Sequence, residues 1–281
     1  MEIVLYILIA IVILAVGVII VDSNRFVVRE YTIESDKLER DHELLFISDL
    51  HCKSYGKNNE KLLRAIDSIP AEAALITGDM ITGHPGKETD TAASFISELH
   101  KRMPIFYSEG NHEERTRIFT DKYGDMYERY IEKLAKIPER ILDNEKVSFE
   151  DLDIYAMSIE VEYYIRGIRL YYKDGHTEKL VGPNDESRFS ILMAHDPEYF
   201  EGYAKWKPDL VLSGHNHGGI ARIPLLGGVI SPRLKLFPRY DGGLFKSGTS
   251  TMILSRGIGS HTMPLRFNNP GELIVIHLKK R

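Results

Sequence analysis

The sequence predicts a layered α/β fold, and three observations carry that expectation. Five short segments are near-continuously apolar: 44–48 (LLFIS), 73–77 (AALIT), 104–108 (PIFYS), 189–194 (FSILMA) and 209–213 (DLVLS). Runs of this length suit strands buried on both faces. Segments of helical period lie between some of them, and strand–helix–strand order is the mark of a layered α/β architecture. Each apolar segment also ends in a polar cluster, and sites in such sheets form beyond the carboxyl ends of the strands.

In chain order, residues 3–21 come first and carry no charge. At 1.5 Å per residue this run nearly matches a hydrocarbon core of about 30 Å. A cleaved signal peptide is disfavoured because no Lys or Arg precedes the run, which is long for such a segment. A buried core helix is disfavoured because the run has no polar face. The expectation is a single-pass membrane anchor over residues 1–22, a lead-in strand region over 23–43 and one domain over 44–281. Arg25, Arg29, Lys37 and Arg40 follow the anchor. The positive-inside bias then puts the domain in the cytoplasm.

Residues 60–68 place Leu62, Leu63, Ile66 and Ile69 on a helical stripe that Pro70 ends. Residues 91–101 repeat the pattern with Phe95, Ile96 and Leu99. Residues 113–136 form a longer charged helical region, interrupted near Gly124. Residues 252–255 and 272–278 read as further strands. A net charge of −5 gives no electrostatic reason to expect nucleic acid as the main partner. One cysteine, Cys52, rules out an internal disulfide.

The chemistry lies in the clusters. Asp49 and His51 are two apart, so on an extended strand end both side chains point one way and reach one cation. Asp79, after Gly78, adds a carboxylate able to bridge two ions. Asn111 offers a neutral oxygen and His195 a nitrogen. His215 and His217 repeat the two-residue spacing. Each piece alone is ordinary: Gly-Asp makes turns, Asn-His can cap a helix, and a single His is more often structural. The ordered set, at five strand ends, is not. Mixed N and O donors suit Mn, Fe, Zn or Co better than Ca. Two such ions about 3.5–4 Å apart clamp a phosphoryl group and lower the pKa of a water, giving a hydroxide for in-line attack.

The order Asp49-x-His51, Gly78-Asp79, Gly110-Asn111-His112-Glu113, His195, Gly214-His215-Asn216-His217 resembles the calcineurin-like metallophosphoesterases. The resemblance implies a four-layer α/β/β/α sandwich and two divalent transition-metal ions. It implies that Asp49, His51 and His217 hold one ion, that Asn111, His195 and His215 hold the other, and that Asp79 bridges them. His112 matches the catalytic imidazole that helps the leaving group depart. The apolar N-terminus, ISDLH at 47–51, GHNHGG at 214–219 with Arg222-Ile223-Pro224, SRGIG at 255–259 and Pro264-Leu265-Arg266-Phe267 resemble a membrane-associated branch. That branch holds phosphodiesterases and pyrophosphatases, a UDP-diacylglucosamine pyrophosphatase among them. Met80-Ile81-Thr82-Gly83 departs from the Val-Asp-Arg-Gly continuation of protein phosphatases and argues against that activity. The implied activity is hydrolysis of a phosphodiester or pyrophosphate at a membrane, with a lipid-linked substrate among the candidates; the alternative is a non-catalytic, metal-stabilised scaffold.

His84, His100, His176, His261 and His277 read as surface or packing residues, with His261 able to rim the site. Cys52 reads as packing, turned away by strand alternation. Residues 220–246 mix apolar side chains with Arg222, Arg233, Lys235 and Arg239, which suits either a membrane-facing loop or a β-hairpin with a buried face and turns at Pro224, Pro232 and Pro238.

Overall fold

A computed structural model describes residues 1–135, 141–165, 167–219, 221–223, 226–231, 235–260 and 265–281. Lys136, Pro224, Pro232, Arg233, His261 and Pro264, invoked above, lie outside the described residues. The strands are β1 (Phe26–Ser35), β2 (His42–Ile47), β3 (Ala73–Ile76), β4 (Ile105–Ser108), β5 (Ile141–Leu142), β6 (Glu145–Phe149), β7 (Leu152–Met157), β8 (Phe189–Ala194), β9 (Leu210–Ser213), β10 (Arg222–Ile223), β11 (Gly227–Gly228), β12 (Gly243–Ser247), β13 (Ser250–Leu254) and β14 (Gly271–Lys280). The helices are α1 (Glu2–Ser23), α2 (Glu60–Asp67), α3 (Asp90–His100), α4 (Asn111–Ile118), α5 (Thr120–Tyr123), α6 (Met126–Leu134), α7 (His176–Val181) and α8 (Phe200–Tyr203).

Two six-stranded sheets, ordered β1-β14-β2-β3-β4-β5 and β12-β13-β9-β8-β7-β6, form the body. The five apolar segments become β2, β3, β4, β8 and β9, with parallel pairing among β2–β4 and among β7–β9. Alternate residues of each strand serve opposite faces. Leu45, Ile47, Ala74, Ile76, Ile105 and Tyr107 face a core shared with Leu62, Ile66, Phe95, Leu99 and Tyr130 of α2, α3 and α6. Leu44, Phe46, Leu75 and Phe106 face the other way and meet Ile154, Ile191, Met193 and Leu212 of the second sheet. Tyr155, Leu192 and Val211 turn outward onto Phe200 and Tyr203 of α8. The expected order of layers, α/β/β/α, is the one observed. Burying a side chain such as Phe46 between the sheets contributes about 1.5–3 kcal/mol.

The charged helical region divides into α4, α5 and α6, and the break near Gly124 falls at a residue with φ of 61°. The lead-in region contributes β1, which runs parallel to β14 and so forms one edge of the first sheet. Helix α1 has a mean hydropathy of 3.4 and no buried residue in its apolar window, so it is long and apolar enough to cross a membrane. Its last residues behave differently. Asp22 and Ser23 are buried, with Asp22 Oδ2 accepting from the Asn269 amide (3.0 Å) and Ser23 Oγ from that of Arg266 (3.1 Å).

Candidate metal centre

The loops after β2, β3, β4, β8 and β9 converge, as their polar clusters predict, but the backbone that brings them together is not extended. Asp49, His51, Asp79, His215 and His217 have φ of 58°, 47°, 54°, 69° and 48°. The pleat argument for side chains two apart therefore fails; tight left-handed turns make the convergence instead. Such conformations cost of order 1–3 kcal/mol each and persist where surrounding contacts over-determine them. Here the amides of Asp49, His51 and Cys52 donate to the carbonyls of Gly78, Asp79 and Met80 at 3.0, 3.0 and 2.9 Å, zipping one loop to the next. A Cβ on Gly78 would lie 2.0 Å from the Gly110 nitrogen, so only glycine permits the next contact along. Strand alternation likewise does not apply to Cys52, which still packs against the helix-side core.

Donor atoms of Asp49, His51 and His217 lie within 4.8 Å of one another, as do those of Asp79, His195 and His215. His217 Nε2 is 3.2 Å from Asp49 Oδ1 and 3.0 Å from His51 Nε2. His195 Nε2 is 3.2 Å from Asp79 Oδ2, and His51 Nε2 is 3.7 Å from the same oxygen. Asn111 begins α4 and is buried. Two polar atoms, Asn111 Oδ1 and His195 Nε2, are buried with no hydrogen-bond partner among the described residues. Leaving such atoms unpaired is costly unless something else satisfies them. A divalent ion needs neutral imidazole nitrogens, carboxylates and a carbonyl oxygen in a dry cluster, and this donor set fits one.

Hydrogen bonds divide the histidines into two kinds. His195 Nδ1 lies 2.6 Å from the Thr77 carbonyl, and His51 Nδ1 lies 3.2 Å from that of Ile81. A carbonyl only accepts, so both Nδ1 atoms carry the proton and both Nε2 atoms present a lone pair. His112 is the reverse. Its Nδ1 accepts from the Gly83 amide at 2.8 Å, so the neutral ring carries its proton on Nε2, 3.8 Å from Asp79 Oδ2. The three donors His51, Asp79 and His112 also lie within 4.8 Å of one another, but a protonated Nε2 is a hydrogen-bond donor and not a ligand.

Burial opposes the charge on Asp49 and Asp79. His217 and His195 outweigh it at Asp49, and His112 and His195 at Asp79, so both carboxyls stay below the usual range. Burial also opposes charge on His195, yet Asp79 and Asp49 raise it to about 10. Those two carboxylates favour a positive charge beside His195, a proton here or a metal ion in its place, whereas burial and then His112 lower His51 to about 3 and leave it neutral.

Several residues here were given no role of their own from the sequence. Glu113 was visible only as the end of a motif. Its carboxylate accepts from the amides of Asp79 (2.8 Å), Met80 (2.7 Å), Ile81 (3.1 Å) and Gly110 (3.1 Å), and from the Tyr107 hydroxyl (3.0 Å). It pins the Asp79 loop to the start of α4. Glu113→Gln puts an amide nitrogen where one oxygen accepted, stranding buried N–H groups at about 1–3 kcal/mol each. A lowered unfolding midpoint together with weakened metal retention is the expected outcome; unchanged values for both would remove Glu113 from this role. Tyr164 sets its ring 5.3 Å from that of His215. Arg266, 2% exposed, donates to the carbonyls of Arg256 (2.9 Å), Gly257 (3.0 Å) and Asn269 (3.1 Å). Asn269 Nδ2 donates to the His217 carbonyl at 2.7 Å.

A cleft of about 820 Å³ opens beside His51, lined also by Lys53, Ser54, Thr82 and Lys87. His84, read from the sequence as surface or packing, lies on this cleft. Residues 222–223 and 227–228 pair as a two-stranded hairpin, as one of the two readings has it, but Ile223, Leu226, Leu236 and Phe237 are exposed rather than turned onto a buried face.

Residues 42–219 match a family model described as calcineurin-like phosphoesterase. An uncharacterized metallophosphoesterase of Aquifex aeolicus is 27% identical over 257 residues, covering 90% of this chain and 91% of that protein. Another, from Helicobacter pylori, is 27% identical over 259 residues, 89% of this chain but 63% of its own length. The chain thus spans less than two thirds of that relative. UDP-2,3-diacylglucosamine pyrophosphatase LpxG of Chlamydia trachomatis is 23% identical over 270 residues, 82% of this chain and 81% of that protein.

Proposed function

The chain belongs to the calcineurin-like phosphoesterase family, and from that premise we propose that it hydrolyses a phosphodiester or pyrophosphate bond at a membrane surface. Asp49, His51 and His217 would hold one divalent transition-metal ion and Asn111, His195 and His215 a second, with Asp79 between them. The observation that carries the reading is the split among the imidazoles. His51 and His195 are oriented by carbonyls to offer lone pairs, whereas His112 is oriented by the Gly83 amide to offer a proton.

Bound divalent ions supply Lewis-acid charge to phosphoryl oxygens and lower the pKa of water. The remaining work falls to side chains. His112 Nε2–H donates to a phosphoryl oxygen and, as the bond to the leaving oxygen breaks, passes its proton to that oxygen. Lys53 and Lys87, on the cleft beside His51, neutralise a phosphate entering from solvent. Glu113 and Gly83 hold Asp79 and His112 in register, so little reorganisation is needed at the moment of reaction.

A lipid-linked substrate is supported by the likeness to the Chlamydia UDP-2,3-diacylglucosamine pyrophosphatase and by α1, which would hold the cleft near the bilayer. Orientation with the domain in the cytoplasm rests on Arg25, Arg29, Lys37 and Arg40; an active alkaline phosphatase fused at the C-terminus would overturn it.

The test is metal-stripped full-length protein reloaded with Mn, Fe or Zn singly and assayed on bis-p-nitrophenyl phosphate and p-nitrophenyl phosphate. The expected result is metal-dependent turnover favouring the diester, with about two ions bound per chain at saturation. No turnover with any metal would leave a metal-stabilised scaffold, and saturation at one ion would remove the second site.

A further inference from the structure

A second cleft, of about 670 Å³, lies where α1 meets the domain, and four arginines line it: Arg25, Arg29, Arg222 and Arg256. That volume falls within the range of small-molecule sites. Basic residues just past an apolar helix commonly reflect topology alone, and Arg25 and Arg29 fit that account. Arg222 and Arg256 do not, because they arrive from β10 and from the loop after β13. Four guanidiniums converging from separate elements need another explanation, since like charges gathered in one cleft repel.

The local carboxylates do not exhaust them. Asp22 pairs with Arg25 at 2.7 Å, Asp241 pairs with Arg222 at 3.1 Å, and the single carboxylate of Glu272 serves both Arg29 and Arg256. Asp22 and Glu272 side chains are 4% and 1% exposed, whereas those of Arg25 and Arg29 are 50% and 38% exposed. Asp22 and Glu272 thus lie behind Arg25 and Arg29, while Asp241 lines the cleft beside Arg222, and the four guanidiniums exceed the three carboxylates by one positive charge. Each guanidinium offers five N–H donors in a planar fork, so one carboxylate partner leaves donors for another oxyanion. Ile223 and Leu226, which also line the cleft, are 41% and 65% exposed. A cationic cleft edged by exposed apolar side chains complements a ligand with an anionic head and an apolar tail.

We propose that this cleft binds the phosphate of an anionic phospholipid headgroup, with Ile223 and Leu226 against the adjoining acyl region. The proposal rests on the reading of α1 as a membrane anchor, because that anchor would set the cleft at headgroup depth. None of the seven proposed metal ligands lines the cleft. The two sites nevertheless share a wall: Arg222 Nη1 donates to the Gly218 carbonyl at 3.0 Å, one residue past His217. A headgroup held here would steady the loop that carries His215 and His217 and keep the hydrolytic cleft at the surface.

The experiment follows the unfolding temperature of the full-length protein in neutral detergent during titration with phosphatidylglycerol, phosphatidylcholine or inorganic phosphate. Phosphatidylglycerol is expected to raise it saturably, and phosphatidylcholine is not. Arg25→Gln combined with Arg29→Gln is expected to raise the half-saturating phosphatidylglycerol concentration about tenfold or more, with bis-p-nitrophenyl phosphate hydrolysis unchanged. Should that pair fold poorly, Leu226→Asp is expected to weaken the lipid response without touching an ion pair. Equal shifts with both lipids, or an undiminished phosphatidylglycerol shift in the folded variants, would overturn the proposal. Inorganic phosphate matching phosphatidylglycerol would assign the cleft to a free anion and overturn the lipid assignment. Alkaline carbonate extraction tests the anchor separately: a chain that stays in the membrane pellet yet shows no headgroup preference loses this cleft and keeps its anchor.

Discussion

His112→Ala is expected to lower turnover of bis-p-nitrophenyl phosphate by about 10²–10⁴-fold while leaving bound metal unchanged. His112 is 4% exposed and fixed at both ends: its backbone amide donates to Asp79 Oδ1 at 2.8 Å and its ring Nδ1 accepts from the Gly83 amide at 2.8 Å. That second bond puts the proton on Nε2, the atom that faces Asp79. A proton donor matters most where the leaving oxygen is strongly basic. The loss should therefore be larger on a dialkyl phosphodiester, whose alkoxide leaving group needs a proton, than on bis-p-nitrophenyl phosphate, whose p-nitrophenolate departs without one. Metal analysis supplies the contrary outcome. His51, Asp79 and His112 also bring donors within 4.8 Å, so loss of an ion with His112→Ala would make this imidazole a ligand and end its assignment as a proton donor. His112→Asn refines the test, because a carboxamide retains an N–H without an imidazole's capacity to pass on the proton. Partial recovery of substrate binding without recovery of turnover is expected, seen as a KM near that of the parent with kcat still low.

The layers and the convergence of the polar clusters were legible because of where each lies. Strands β2, β3, β4, β8 and β9 are buried on both faces, so their apolar runs have no polar interruption, and the residues that follow them are the ones that converge. The identity of strand neighbours was not legible. Apolar patterning marks 272–278 as a strand but cannot tell that β14 inserts between β1 and β2, parallel to one and antiparallel to the other. Backbone conformation at the site was misread for a related reason. A two-residue spacing is compatible with pleat or turn, and the left-handed turns at Asp49 and His51 depend on amide contacts with the Gly78–Met80 loop that only the assembled sheet provides. Glu113, Tyr164 and Asn269 act through partners far away in sequence. The bonds from Asn269 and Arg266 to Asp22 and Ser23 tie the end of α1 to the segment behind His217, a link that no window of sequence contains.

Asp79 bears the largest expected effect on the metal centre, because its two oxygens do different work. Oδ1 accepts from the His112 amide at 2.8 Å, while Oδ2 faces His195, His51 and His112 at 3.2, 3.7 and 3.8 Å. Asp79→Asn can keep the first contact through its amide oxygen but removes the charge between the two sets of donors. Asp79→Ala removes both. Loss of metal affinity in Asp79→Asn should exceed the roughly 10–100-fold typical of residues that only orient a ligand. Activity should fall with metal occupancy and return in part at high metal concentration. Thermal stability without added metal separates the two variants. The alanine strands the buried His112 amide, at about 1–3 kcal/mol, and should unfold at a lower temperature than the asparagine. Equal stability of the two would mean that Oδ1 does not anchor the start of α4. Full metal occupancy in Asp79→Asn would mean that the charge of Asp79 is not shared between the ions, and the site would then hold its metals through Asp49 and the histidines alone.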